Sequence, residues 1–192
     1  MQPYFSNSHG YGDERRYATH DQHLFLDFRD YFDATTVTAS TAVDFVVHLS
    51  QASGPLYIEP YRYVEMSELK AFCFPKIKNE MYAVLDIPEF SSARVHSSES
   101  TGANNKFAVI YFDSETLAAG ETKPSRGSDF DKKVHVFNPP ESNFNRFSVR
   151  ILKYGNTPVT FGDLTQDGVV TESVAETLLR KMSMMLVFRI KK

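Results

Sequence analysis

In this chain of 192 residues the six histidines, His9, His20, His23, His48, His96 and His135, are the first groups to weigh for chemistry. A transition metal would need His or Cys ligands at close, regular spacing. No two of these histidines stand two or four residues apart, and His20 and His23, three apart, lie in a polar stretch. His48 and His135 fall inside strand patterns and read as structural residues facing a rim or a partner. The single cysteine, Cys73, lies in the apolar run AFCF and reads as a small buried hydrophobe. One cysteine also excludes an internal disulfide.

Calcium is the next chemistry to test. In DLTQDG, Asp163, Thr165, Asp167 and Gly168 match the first, third, fifth and sixth positions of a calcium loop. The twelfth position holds Val174, which offers no bidentate carboxylate, and no helices flank the loop as the motif requires. An Asp/Gly turn between strands is the better reading. The acidic pair Asp113 and Glu115 reads as part of a solvated loop. There is no G-x-S-x-G elbow and no phosphate-cradling glycine loop. No catalytic, cofactor-binding or metal-binding residue is nominated, no cofactor is implied, and an enzyme is not expected.

The elements that carry these residues have a period of two. LFLDFRDYF (24–32) puts Leu24, Leu26 and Phe28 on one face. Further runs are VDFVVHL (43–49), YRYVEMSELKAFCF (61–74, long enough for one bent strand or two) and MYAVLDI (81–87), closed by Pro88. KFAVIYFD (106–113) is apolar on both alternating faces, the pattern of a strand between two covered surfaces. KKVHVFN (132–138) is expected to stop at Pro139-Pro140. NRFSVRILKY (145–154) sends Phe147, Val149 and Ile151 inward and Arg146, Ser148 and Arg150 outward. Gly155-Asn156 turns the chain into PVTF (158–161), and MSMMLVFRI (182–190) puts Met182, Met184, Leu186, Phe188 and Ile190 on one face. TESVAETLLRK (171–181) alone reads as helix, with Val174, Leu178 and Leu179 as its stripe.

The sum is an all-β chain of eight to ten short antiparallel strands with one short helix near 171–181, arranged as a sandwich or jelly roll. Residues 1–22 are polar and read as an extended N-terminal arm, leaving 23–192 as a single domain. Sixteen Phe, ten Tyr and no Trp favour strands. A net charge of -3 and a pI near 6.1 argue against a strongly basic nucleic-acid binder, so any such contact is expected to be weak or indirect. The weak basic cluster Lys123, Arg126, Lys132 and Lys133 is interleaved with Asp129 and Asp131. No apolar run is long enough for a membrane span, and the first residues, MQPYFSNSHGYGDERR, lack the apolar core of an export signal. Folding inside a cell is therefore expected. The loops at 90–105 and 114–131 are long and polar, as loops that contact other molecules often are.

Several of these pieces, taken in order, resemble one family. MYAVLDIPEFSS (81–92) is followed by NNKFAVIYFD (104–113), then KKVHVFNPPESNFNRFSVRILKYGNTPVTF (132–161), then MSMMLVFRI (182–190). This order is similar to that of the single jelly-roll vertex proteins, the penton or minor capsid proteins, of polinton-like, virophage-like and large eukaryotic DNA viruses. FNRFSVRILKYGNTPVTF matches the middle of that pattern. The likeness covers residues 81–192, weakens over 23–80 and is absent from 1–22, and the stretch between Gly162 and Met182 is longer than the pattern.

The resemblance implies a single jelly roll that associates with itself into a ring, usually of five, at an icosahedral vertex. It implies other capsid proteins as further partners and a place in the virion after folding and assembly in the host cytoplasm or nucleus. That family carries no catalytic residues to transfer. The alternatives are the main coat protein of a small icosahedral virus, or a jelly-roll module that binds a receptor or carbohydrate.

Overall fold

A computed structural model describes residues 19–49, 63–90, 106–112, 118–122, 125–126, 134–142 and 144–191. In chain order the strands are β1 (Thr19–Asp27), β2 (Asp44–His48), β3 (Tyr63–Cys73), β4 (Tyr82–Asp86), β5 (Ala108–Tyr111), β6 (Ser125–Arg126), β7 (Val134–Glu141), β8 (Arg146–Lys153), β9 (Thr157–Pro158) and β10 (Ser183–Lys191). Among the described residues one α-helix, α1, spans Glu172–Leu179.

Two antiparallel sheets face each other. One runs β1-β10-β3, with β6 and β7 both on the far edge of β3. The other runs β2-β8-β4-β5, with β9 on β8. The pairing is nested. β1 pairs with β10, β2 with β8, β3 with β7, and β4 with β5. A chain that pairs its first strand with its last, and so on inward, is a long hairpin rolled into a barrel-like sandwich, which is the jelly roll.

Alternation drives the layering. In β8, Phe147, Val149 and Ile151 are fully buried while Arg146 and Arg150 are exposed. In β10, Met184, Leu186, Phe188 and Ile190 are all buried. The core is aromatic at both ends. Phe90 packs among Phe107, Phe137, Phe144, Phe147 and Phe188, with ring centroids between 5.3 and 6.0 Å. At the other end Phe45 stacks on Tyr31 at 4.3 Å and meets Phe28 edge-on at 4.9 Å. Burial of each such ring stabilises the fold by roughly 1.5–3 kcal/mol.

The structure differs from the sequence reading at several places. The expected arm at 1–22 ends earlier, because Thr19–Gln22 pair with Phe188–Lys191 as the first half of β1. Residues 1–18 lie outside the described residues. β7 does not stop at Pro139-Pro140 but runs to Glu141. Proline has no N–H to give a ladder, and β7 tolerates two because it lies at a sheet edge among the described residues. β5 is apolar on both faces yet is also terminal in its sheet among the described residues, and its outward Tyr111 is exposed.

The run at 61–74 yields one strand, β3, with register shifts against β10 that leave Glu65 and Lys70 as extra residues. Of PVTF only Pro158 lies in a strand, β9, and Phe161–Leu164 form a 3-10 turn. The Gly155-Asn156 turn is present, with φ of 72° and 61°. Both lie in the left-handed region that glycine and asparagine adopt readily. The helix stripe is rotated from the expected one: Ala175, Leu178 and Leu179 are buried, and Val174 is only half-buried. Thr171 caps α1 by accepting from the Val174 N–H at 3.4 Å.

Candidate functional site

The fold keeps the described histidines apart. His23 is exposed on β1, His48 is exposed at the end of β2, and His20 lies beside Gln22. His9 and His96 fall outside the described residues. Among the described residues no group of three His, Cys, Asp or Glu side chains could hold a metal ion. Asp113, Glu115, Lys123, Lys132 and Lys133 also fall outside them, and of Arg126 only the backbone is described. Cys73 is half-buried, and burial pushes its thiol up.

The DLTQDG stretch is not a turn between strands. It is the end of the 3-10 turn at Phe161–Leu164 and the approach to α1. Asp163 is occupied there. Its carboxylate accepts from the Thr160 N–H and hydroxyl, each at 2.9 Å, and from Lys153 Nζ at 2.6 Å. Burial opposes its ionisation, but these three bonds outweigh burial and hold it below the usual carboxylate range.

Three cavities open on the surface of the described residues. One, about 620 Å³, lies between the segment after β1 and α1 and is lined by Arg29, Asp30, Asp33, Glu176 and Arg180. Its charges are largely answered internally: Arg29 pairs with Asp27, Arg180 with Glu176, and Asp33 accepts from Thr35. A second, about 470 Å³, carries threonine and serine hydroxyls beside Lys181, which donates to the Gly120 carbonyl at 2.7 Å. A third, about 360 Å³, lies over Met66, Val136 and Phe137 beside Arg189. None brings together a nucleophile, a base and a group to orient it.

The most distinctive surface is the outer face of the β2-β8-β4-β5 sheet, which has two halves. In the first, Asp44 on β2 faces Arg150 on β8, which in turn faces Asp86 on β4. Asp86 also binds Lys106 at 3.0 Å. Glu89, just after β4, continues the ladder by accepting from the Ser148 N–H at 3.0 Å.

The second half is apolar and tyrosine-rich. Val84 and Leu152 are cross-strand partners, buried under Tyr82 and Val109 on the outside of the sandwich. Tyr82 meets Tyr111 across β4 and β5, with ring centroids at 6.2 Å. Tyr111 is 68% exposed and Tyr154 54%, and Met81 is exposed beside them. The Tyr82 hydroxyl is buried with no hydrogen-bond partner among the described residues. Burial and the nearby Glu80 push that phenol up. Burial also raises the Glu80 carboxyl, against a bond from the Tyr154 N–H that favours the charged form.

Tyrosines of this kind offer large apolar area with a polar tip, the chemistry enriched where folded proteins touch. The sequence reading did not single them out. The signal was there in β4 and β5, whose outward positions carry Tyr82, Val84, Val109 and Tyr111 where charged residues would suit solvent.

No protein-family model matches the chain, and no curated protein matches it either.

Proposed function

We propose that the chain is a structural subunit of a viral capsid, a single jelly roll that closes with copies of itself into a ring at an icosahedral vertex. The observation that carries this reading is the nested strand pairing, β1 with β10, β2 with β8, β3 with β7 and β4 with β5. The segments that carry the resemblance contribute β4, β5, β7, β8, β9 and β10. The exposed Tyr111 on β5 and Tyr154 just after β8 add support, since a ring needs surface suited to a neighbour and a cyclic contact joins two different patches.

Fold alone does not fix function, so assembly must be measured. Static light scattering of the purified chain over a series of salt and pH conditions is expected to give a discrete multiple of the 21.9 kDa monomer mass. A monomer under every condition would contradict the reading.

A further inference from the structure

The geometry points to His135 and Ser67 as an acid-sensitive latch that holds the edge strand β7 against the sandwich. The two residues are register partners across β3 and β7, so their side chains lie side by side on the inner face. Ser67 is fully buried. Its Oγ and the Nδ1 of His135 are both buried polar atoms without a hydrogen-bond partner among the described residues. Native proteins leave few such atoms unpaired, and two as cross-strand neighbours is unusual.

The surroundings are aromatic. The His135 ring stacks on Phe90 at 5.9 Å and meets Phe137 edge-on at 4.5 Å. Phe144 closes the same cluster through Phe90 and Phe137. No charged group among the described residues faces the imidazole from any packed element. On β3 the partner is Ser67, and Glu68 points to the opposite face with Lys70. Glu89, beside Phe90, is held by Ser148. On β7 itself Glu141 lies opposite Val64, at the far end of the strand.

A proton added at Nδ1 therefore creates a cation in an aromatic enclosure with no carboxylate among the described residues to answer it. Burial alone depresses the titration of His135 below its ordinary value. The sign follows from linkage. Above pH 6.5 the imidazole is neutral, folded or unfolded, and costs nothing. As pH falls below that value the open form takes the proton first. The closed form is then progressively disfavoured, until pH passes the midpoint of the folded state.

Opening at β7 is the cheapest response. It lies at a sheet edge among the described residues, its ladder to β3 is interrupted between Val64 and Met66, and two of its residues are prolines without an N–H. Release uncovers Phe137 and Phe144. This device does not depend on the assembly reading.

Hydrogen–deuterium exchange of the full chain between pH 7.5 and 5, corrected for intrinsic rates, tests it. Amides of Val134–Phe137 are expected to lose protection as pH falls, by up to tenfold for each pH unit between 6.5 and the folded midpoint. Amides of β10 that pair with β1 should hold. In His135→Phe, whose ring suits the aromatic cluster, the pH dependence at β7 should vanish. It should persist in His23→Asn and His48→Asn. Should His135→Phe not fold, an NMR titration of His135 in the unmodified chain decides, with a midpoint below 6.5 expected. Equal loss of protection in β7 and β10, an unchanged pH response in His135→Phe, or a midpoint at or above 6.5 would overturn the latch.

Discussion

Lys153 and Asp163 meet at 2.6 Å and tie the end of β8 to the 3-10 turn that follows β9. The same carboxylate closes a capping box with Thr160. Asp163 is thus a structural residue, and its folded titration lies below its unfolded one. Such a carboxylate stabilises the fold above its unfolded value near pH 3.8, and that contribution is lost as pH falls through the folded value. Asp163→Ala is expected to cost about 1–2 kcal/mol at neutral pH, from a lost cap and a partly exposed ion pair. Urea denaturation at pH 7 and again near pH 3 measures it. The gap between variant and parent should narrow in acid, and calcium should leave the parent's stability unchanged.

Asp86 and Lys106 form a more enclosed pair, with the carboxylate almost wholly buried. Lys106→Ala removes the ion-pair partner of a buried carboxylate and is expected to cost about 3–5 kcal/mol. Replacing both, as Asp86→Leu with Lys106→Met, should recover most of that loss, since apolar groups of similar size need no partner. Thermal unfolding of the single and double variants separates the two cases.

Phe90 is the hub of one aromatic end of the core, touching five other phenylalanines. Phe90→Ala is expected to cost about 3–5 kcal/mol. A loss below about 1 kcal/mol in chemical denaturation would mean the sheets do not pack as described.

Two glycines make a paired test of backbone geometry. A Cβ on Gly120, at φ +80°, would stand 2.7 Å from the Leu164 carbonyl oxygen, whereas on Gly155, at φ +72°, it would meet only Thr157 Oγ1 at 3.8 Å. Gly155→Ala should cost about 1–2 kcal/mol from the left-handed backbone alone. Gly120→Ala adds a clash with backbone that cannot swing aside and should cost clearly more. Equal melting temperatures for the two would contradict the placement of Gly120 against Leu164.

What the sequence disclosed, and what it hid, follows from how each strand meets its neighbours. β8 and β10 were legible because every inward residue is apolar, even though the outward Leu152 and Val187 are buried as well. β3 was legible as a strand but not in its buried set, since its bulges at Glu65 and Lys70 put Val64, Ser67, Leu69 and Phe72 inside, which breaks a period of two. The first residues of β1 are polar because that part of the strand buries little, so nothing in their pattern announced a strand. Prolines in β7 read as a stop because sequence alone does not tell an edge from a centre. The tyrosine face was hidden for a related reason, as apolar residues on both sides of β5 read as a covered strand. The pairing of His135 with Ser67 joins strands separated in the chain by β4, β5 and β6, which no local pattern encodes.

Self-association is the claim on which the functional reading stands. Electron microscopy of the purified chain, beside the double variant Tyr111→Ser with Tyr154→Ser, tests it most directly. Both substituted side chains are exposed, so each change should alter stability by less than about 0.5 kcal/mol. The parent is expected to show closed rings or shells of uniform size, and the variant a marked loss of them. Fields of single, unassociated particles of the parent at every salt and pH would contradict the account.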